Sequence, residues 1–150
     1  MTAPLLQVQN LQVAFNGQPV VHGIDFSIAA GEKLALVGES GSGKTVSALS
    51  LLRLVHNAEV SGSALLAGRD LLQMTEHQLR GVRGDDVAVI FQEPMTALNP
   101  VMTCGDQVDE LLRTHTDWPA AKRHQAVLDM FARVKLPDPE RMARSYPHQL

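Results

Sequence analysis

The sequence predicts an α/β protein in which an antiparallel β region and a glycine-punctuated strand–loop–helix core lead into a helical region near Gln92. Three observations predict it. Apolar and polar residues alternate over residues 6–28, the apolar run "KLALV" breaks into a glycine-rich loop, and beyond Gln92 the apolar spacing changes to three and four. The 150 residues fit one domain, 45% hydrophobic and 19% charged with mean hydropathy -0.03, the profile of a soluble globular chain. Only 4% is aromatic, so the core must be mostly aliphatic.

"LLQVQNLQVAF" places apolar residues at Leu6 and Val8, then Leu11, Val13 and Phe15. The two-residue period slips once, which predicts a strand with a bulge. Asn16-Gly17 is a hairpin signal, and Ile24, Phe26 and Ile28 alternate in the partner strand. "KLALVG" is nearly continuous in apolar residues, as a strand buried on both faces should be. From Gly43 onward Ala48, Leu51, Leu52 and Val55 mark one face of a helix. "VSGSALLAGRDL" reads as a further strand ended by Gly68, and Thr75 with Gln78 forms a capping box for a short helix before Gly81 and Gly84. "DVAVIF" is a second candidate for a buried strand, and "QEPMTALNPVMT" is irregular. Thr103 and Asp106 can cap a helix carrying Val108, Leu111 and Leu112, and Pro119 suits the first turn of a helix with Val127, Met130, Phe131 and Val134. Trp118 is expected to cover the start of that helix, and the charges of "AAKRHQAVLDMFAR" to lie on its solvated surface.

Formal net charge is -3 and pI about 6.0, so no overall positive field draws nucleic acid, and no nucleic-acid partner is expected. No basic residue precedes Lys33, which argues against a cationic export leader. The most apolar window, "VSALSLLRLV", is far short of a bilayer span and carries Arg53. Cys104 is the only cysteine, which excludes an internal disulfide and suits a reducing cytoplasm, with Cys104 a small packing residue. The six histidines, at 22, 56, 77, 115, 124 and 148, show no metal-ligand spacing.

Gly38-Glu39-Ser40-Gly41-Ser42-Gly43-Lys44-Thr45 matches the P-loop pattern G-x-x-x-x-G-K-S/T. Enclosing phosphate oxygens requires successive backbone N–H groups to turn inward, in dihedrals that glycine reaches without steric cost. A helix beginning at the same place adds unpaired amides, including that of Val46, and a partial positive charge. Lys44 supplies a full charge to the β- and γ-phosphates and Thr45 a hydroxyl to Mg²⁺. ATP-type nucleotide with Mg²⁺ is the implied ligand, and a P-loop NTPase core the implied fold. Glu39 does not help phosphate, so its side chain is expected to point away.

The loop alone does not choose among nucleotide-dependent classes. "VAVIFQEP", residues 87–94, places Gln92 at the end of an apolar run, where an amide oxygen can reach a metal. In this form the sequence resembles the nucleotide-binding subunit of ABC transporters, with Gln92 as the Q-loop glutamine and Phe15 where that family carries the aromatic residue that stacks on adenine. "IFQEPMTALNPVMT" is similar to the Q-loop of the oligopeptide, dipeptide and nickel importer branch, and "SYPHQL" to the residues that branch places just before its LSGG signature. Without the resemblance, Phe15 reads as a strand-end core residue and Gln92 as a strand-end glutamine that caps backbone groups.

The resemblance implies an ABC-type P-loop core with an antiparallel β subdomain and the start of the helical subdomain, residues 1–92 and 93–150 of one N-terminal part of a nucleotide-binding domain. It implies ATP hydrolysis driving uptake of peptides or a similar small solute, catalytic roles for Lys44 and Gln92, and Mg²⁺ on Thr45 and Gln92. Its partners would be transmembrane permease subunits docking on 93–108, where Met95, Leu98, Val101 and Met102 are candidate apolar contacts. A second ATP-binding domain would close head to tail, with a solute-binding protein engaged indirectly. The location implied is peripheral, on the cytoplasmic face of the inner membrane. The family's Walker B carboxylates, catalytic glutamate and switch histidine lie downstream of the signature, with no counterpart in these residues, so the 150 residues alone are expected to hydrolyse hardly any ATP. Two alternatives stay open: a non-transport ABC ATPase of the DNA-repair or chromosome-associated kind, and a non-enzymatic fragment.

Overall fold

The computed structural model describes residues 3–150. The chain divides into two compact units, one running to Arg80 and the other from Gly81 to Leu150.

The first unit is built on a four-stranded antiparallel sheet. Strands β1 (Leu6–Phe15) and β2 (Gln18–Ile28) form a hairpin whose turn residues Asn16 and Gly17 have φ of 49° and 75°, the two positive values that a two-residue turn of this kind requires. Strand β3 (Ala58–Leu66) pairs on the other side of β1, and β4 (Arg69–Asp70) pairs with β3, giving the order β2-β1-β3-β4. The predicted slip is a bulge: the registers against both neighbours shift between residues 8 and 12, and Asn10 there has φ 47°. Its N–H donates to Asp25 Oδ1 at 2.8 Å, which replaces the lost ladder bond. The bulge resets the alternation, so Val8, Leu11 and Val13 are all buried, together with Val21, Ala64 and Leu66.

Helix α1 (Lys44–Leu51) follows the glycine loop and packs against β1 and β3. Its buried face is Ser47, Ser50 and Leu51, whereas Ala48 is exposed and Val55 lies beyond the helix. Leu51 and Leu52 are buried as expected, and Ser47 and Ser50 rather than Ala48 complete the face. Ser47 is compatible with burial because its Oγ donates to Gly43 O at 2.8 Å. Helix α2 (Glu76–Val82) begins with the predicted capping box, in which Thr75 N–H donates to Gln78 Oε1 at 2.9 Å and Gln78 N–H to Thr75 Oγ1 at 3.3 Å. It runs through Gly81 rather than stopping before it.

The two strands expected at "KLALVG" and "DVAVIF" do not form. Residues 33–38 carry no ladder, and 86–91 hold only an isolated bridge from Val87 to Arg83. Val37 is 85% exposed and Ile90 95% exposed. A central parallel strand draws its hydrogen bonds from neighbours on both sides, and among the described residues neither segment has one. Their apolar sequence shows what they are suited to, not what they pair with here.

The second unit is helical. After the short α3 (Pro94–Ala97) come α4 (Cys104–His115), α5 (Ala120–Arg133), α6 (Pro139–Arg144) and a 3-10 turn at Pro147–Gln149. Thr103 caps α4 as predicted, its Oγ1 accepting from Asp106 N–H at 3.1 Å, and Asp138 caps α6 by accepting from Arg141 N–H at 3.2 Å. Cys104, Val127, Phe131, Met142 and Ala143 form the core, with Val108 and Leu112 packed against it. Full burial of a side chain such as Phe131 stabilises the unit by about 1.5–3 kcal/mol. Met130 and Val134, expected on the same face, are exposed. Lys122 Nζ lies 4.0 Å from the centre of the Trp118 ring. Arg123 is not simply solvated: its Nε donates to Asp109 Oδ1 at 2.7 Å and its Nη1 to Trp118 O at 2.8 Å, tying α5 to α4 and to the corner between them.

Candidate functional site

Residues 38–45 lie in the first unit, between an extended segment and the start of α1. Gly41 and Gly43 have φ of 81° and 88°, in the left-handed region that favours glycine. Gly43 has a second reason to lack a side chain, since a β-carbon there would sit 3.3 Å from Val21 Cγ2 and 3.4 Å from Val20 O. The loop is thus seated on β2. The hairpin sets the height at which α1 begins.

The first helical bond of α1 runs from Ser47 N–H to Gly43 O at 2.8 Å. The amides of Lys44, Thr45 and Val46 precede it and have no acceptor among the described residues. Within the loop proper, Ser42 N–H donates to Glu39 O at 3.2 Å, forming a turn. The amides of Ser40, Gly41 and Gly43 likewise have no internal partner among the described residues. Unpaired amides, a helix N-terminus and one ammonium group therefore come together over eight residues. This donor set fits a polyphosphate.

Lys44 Nζ donates to Gly38 O at 2.7 Å, Glu39 O at 2.6 Å and Ser42 Oγ at 3.3 Å. Glu39 is exposed and contributes to the loop through its carbonyl. Thr45 is exposed and Val46 half-buried in the first turn of α1. A cavity of about 290 Å³ adjoins Lys44, Ser42 and Gly38, walled on its apolar side by Val20, Ile24 and Val37. Phe15 closes β1 half-buried, opposite Gln18 on β2 and Ala58 on β3. Val20 and Ser47 are contributors that the sequence reading missed. Ser47 could have been found from its four-residue spacing to Gly43, whereas nothing in the pattern marks Val20.

Gln92 lies in the second unit, exposed and in a bend. It was expected at the end of a buried strand, and this is corrected by the absence of a strand over residues 88–91. In the same stretch Met95 and Val101 are exposed, while Leu98 and Met102 are half-buried. A larger groove of about 540 Å³ lies between α4, α5 and α6, with Val127 and Ala143 in its wall and Arg123, His124 and Arg144 among the residues around it. Among the described residues no three His, Cys, Asp or Glu stand together. A Mg²⁺ ion at the loop would therefore take most of its ligands from phosphate and water, as this ion usually does. Thr45 offers a neutral oxygen donor of the right kind in the first turn of α1.

The family model described as ABC transporter matches residues 21–150. The Dipeptide transport ATP-binding protein DppD of Bacillus subtilis (strain 168) is 42% identical over 152 residues, covering 97% of this chain and 45% of that protein. The Peptidoglycan transport ATP-binding protein YejF of Agrobacterium fabrum is 42% identical over 156 residues, 99% of this chain and 29% of its own. The chain spans about half the length of the curated relatives it matches first, 47% of one from Brucella abortus. Among solved structures, a dimeric post-hydrolysis state of the ATP-binding cassette MJ0796 bound to ADP and Pi superposes with a TM-score of 0.81 at 20% identity, over 97% of this chain and 62% of that one. At that identity the likeness concerns the fold.

Proposed function

This chain belongs to the ABC transporter family, and from that premise we propose that it binds ATP with Mg²⁺ at residues 38–45 and, in the intact protein, hydrolyses ATP to drive import of peptides or a similar small solute. The observation that carries the reading is the cluster of amides without an internal acceptor among the described residues, those of Ser40, Gly41 and Gly43 to Val46, around the Lys44 ammonium. Amides would enclose the β-phosphate, Lys44 would neutralise charge on the β- and γ-phosphates, and the Thr45 hydroxyl would be a ligand of the metal. When bound, the metal offsets phosphate charge and orients the terminal group. Phe15 supports the base from the end of β1. The nucleotide is proposed to lie on the first unit, at residues 38–45.

The names of the relatives support a peptide-like solute. The partners proposed are transmembrane permease subunits, a second ATP-binding domain closing head to tail and, indirectly, a solute-binding protein. Exposed Met95 and Val101 suit a permease contact over residues 93–108. No helix of the described residues is long and apolar enough to cross a membrane. The proposed location is peripheral, on the cytoplasmic face, held there by the permease.

Thermal unfolding with and without nucleotide tests the proposal. Mg-ATP raises the midpoint of the wild-type chain in proportion to the logarithm of its concentration, and Lys44→Ala abolishes the rise. An unchanged wild-type midpoint at millimolar Mg-ATP counts against the assignment.

A further inference from the structure

The chain has four asparagines, at 10, 16, 57 and 99, and only Asn16 is followed by glycine. The Cγ of an asparagine can close a five-membered ring with the backbone nitrogen of the next residue, so the state of that nitrogen decides its chemistry. After Asn99 comes Pro100, whose nitrogen carries no proton to give up. After Asn10 comes Leu11, 0% exposed, and Asn10 Oδ1 is itself held by Gln12 Nε2 at 3.1 Å. After Asn57 comes Ala58, which pairs with Phe15 across β1 and β3 and whose methyl group stands beside its nitrogen. Gly17 has none of these protections. It is exposed, a β-carbon there would meet nothing within 4 Å, and neither its N–H nor the Asn16 side chain has a hydrogen-bond partner among the described residues. Asn16 and Gly17 are also the whole loop between β1 and β2, and the pair Phe15–Gln18 closes the ladder directly beneath them. Ring closure requires the Asn16 Cα–C bond to turn out of its left-handed conformation. At a hairpin tip this costs little, because only the last pair is disturbed.

We propose that Asn16-Gly17 is a site of spontaneous deamidation in the folded chain and that its isoaspartyl product displaces Phe15; any effect on nucleotide rests on the reading of Phe15 above. The Gly17 nitrogen, its proton lost to solvent, bonds to Asn16 Cγ, the Cγ–Nδ2 bond breaks, and ammonia leaves with a proton from water. Water then opens the succinimide. Opening at Cγ gives aspartate, and opening at the main-chain carbonyl gives isoaspartate, in which the backbone runs through Cβ and Cγ. Water is the co-reactant, and no oxidation or reduction occurs. Either product makes the net charge of -3 more negative by one carboxylate. Isoaspartate also adds an atom to the backbone of a two-residue loop whose twist is matched to its strands, so the Phe15–Gln18 pair loses its register. The Phe15 ring moves with it.

Holding the chain at pH 8 and 37 °C and mapping its peptides by mass spectrometry tests the proposal. Asn16 should convert at least about tenfold faster than Asn57, with isoaspartate accumulating beside aspartate. Asn16→Gly keeps a loop that accepts two positive φ values and should abolish conversion there. In NMR spectra the Phe15 ring signals should shift in the isoaspartyl form, whereas Asn16→Asp, with its ordinary backbone path, should leave them near wild type. Conversion at Asn16 no faster than at Asn57, or only in urea, overturns the site. Unmoved Phe15 signals in the isoaspartyl form overturn the displacement. Where Mg-ATP binds the unmodified chain, isoaspartate should weaken it, and equal affinity overturns the link to the base. Conversion at Asn16 in a chain that does not bind Mg-ATP supports the deamidation and counts against the nucleotide reading.

Discussion

Gly62 on β3 lies so close to the carbonyl group of Asn10 on β1 that a β-carbon at position 62 would overlap it, reaching within 2.7 Å of the carbonyl carbon. Gly62 also has φ of 101°, which side-chain-bearing residues rarely adopt. Space and backbone therefore both require glycine opposite the bulge. Gly62→Ala should lower unfolding stability by about 2–4 kcal/mol, combining backbone strain with overpacking against main chain that cannot swing aside. Urea titration checks this against Glu59→Ala, an exposed change on the same strand expected to stay within about 0.5 kcal/mol of wild type. Equal midpoints for the two variants would show that the sheet absorbs the change.

That bulge was legible in the sequence as a slip between Val8 and Leu11, because apolar spacing reports which residues must share a face. The Asn16-Gly17 turn, the Thr75–Gln78 box and the Thr103 cap were legible for a similar reason: each is a local device whose residues are also its mechanism. The glycine loop was legible as a backbone because its glycines mark the positions of positive φ at Gly41 and Gly43. Gly62 escaped notice since its partner lies across the sheet, and Arg123 since its acceptor Asp109 is on another helix. The misjudged segments around Val37 and Ile90 teach the converse. An apolar run states a demand for burial, but pairing depends on neighbours that the run does not encode. Val20 stayed hidden because its place under the loop follows from how the hairpin meets α1.

The Arg123–Asp109 pair predicts a pH dependence. The guanidinium bonded to Asp109 holds its carboxyl below the usual carboxylate range. A carboxylate depressed in the folded state contributes stability above the ordinary value of about 3.9, and the contribution disappears as pH falls through the lowered folded value. The difference in urea midpoint between wild type and Asp109→Asn should therefore be larger at pH 7 than at pH 3. Because Asp109 is partly exposed, the difference should also shrink in high salt. A difference equal at both pH values would locate the role of Asp109 in packing rather than charge.

Cys104, the only cysteine, begins α4 inside the helical core, and burial pushes its thiol above the ordinary range. Protonated and screened by Val127 and Phe131, it is a poor nucleophile at neutral pH. A disulfide reagent at pH 7.5 should modify the folded chain at least about tenfold more slowly than the urea-unfolded chain. Equal rates would mean that the cluster around α4 opens as fast as the reagent attacks.

The stacking role proposed for Phe15 would have the site bind a base as well as phosphates. Its ring ends β1, half-buried between Gln18 and Ala58, so part of its surface is available to a stacking partner. Stacking of a base on an aromatic ring contributes about 1–3 kcal/mol, a factor of roughly 5 to 150 in affinity. Inorganic triphosphate offers the loop similar charges and no base. Calorimetric titration of Phe15→Ala should therefore show weakened Mg-ATP binding and unchanged binding of magnesium triphosphate. A Phe that merely fills the strand end would behave otherwise, since its removal would loosen the hairpin that seats Gly43 on Val20 and Val21 and weaken both ligands alike. Phe15→Tyr keeps the ring face and the burial, so it should restore ATP affinity to near the wild-type value. Loss of triphosphate binding in Phe15→Ala comparable to the loss of ATP would sink the stacking role.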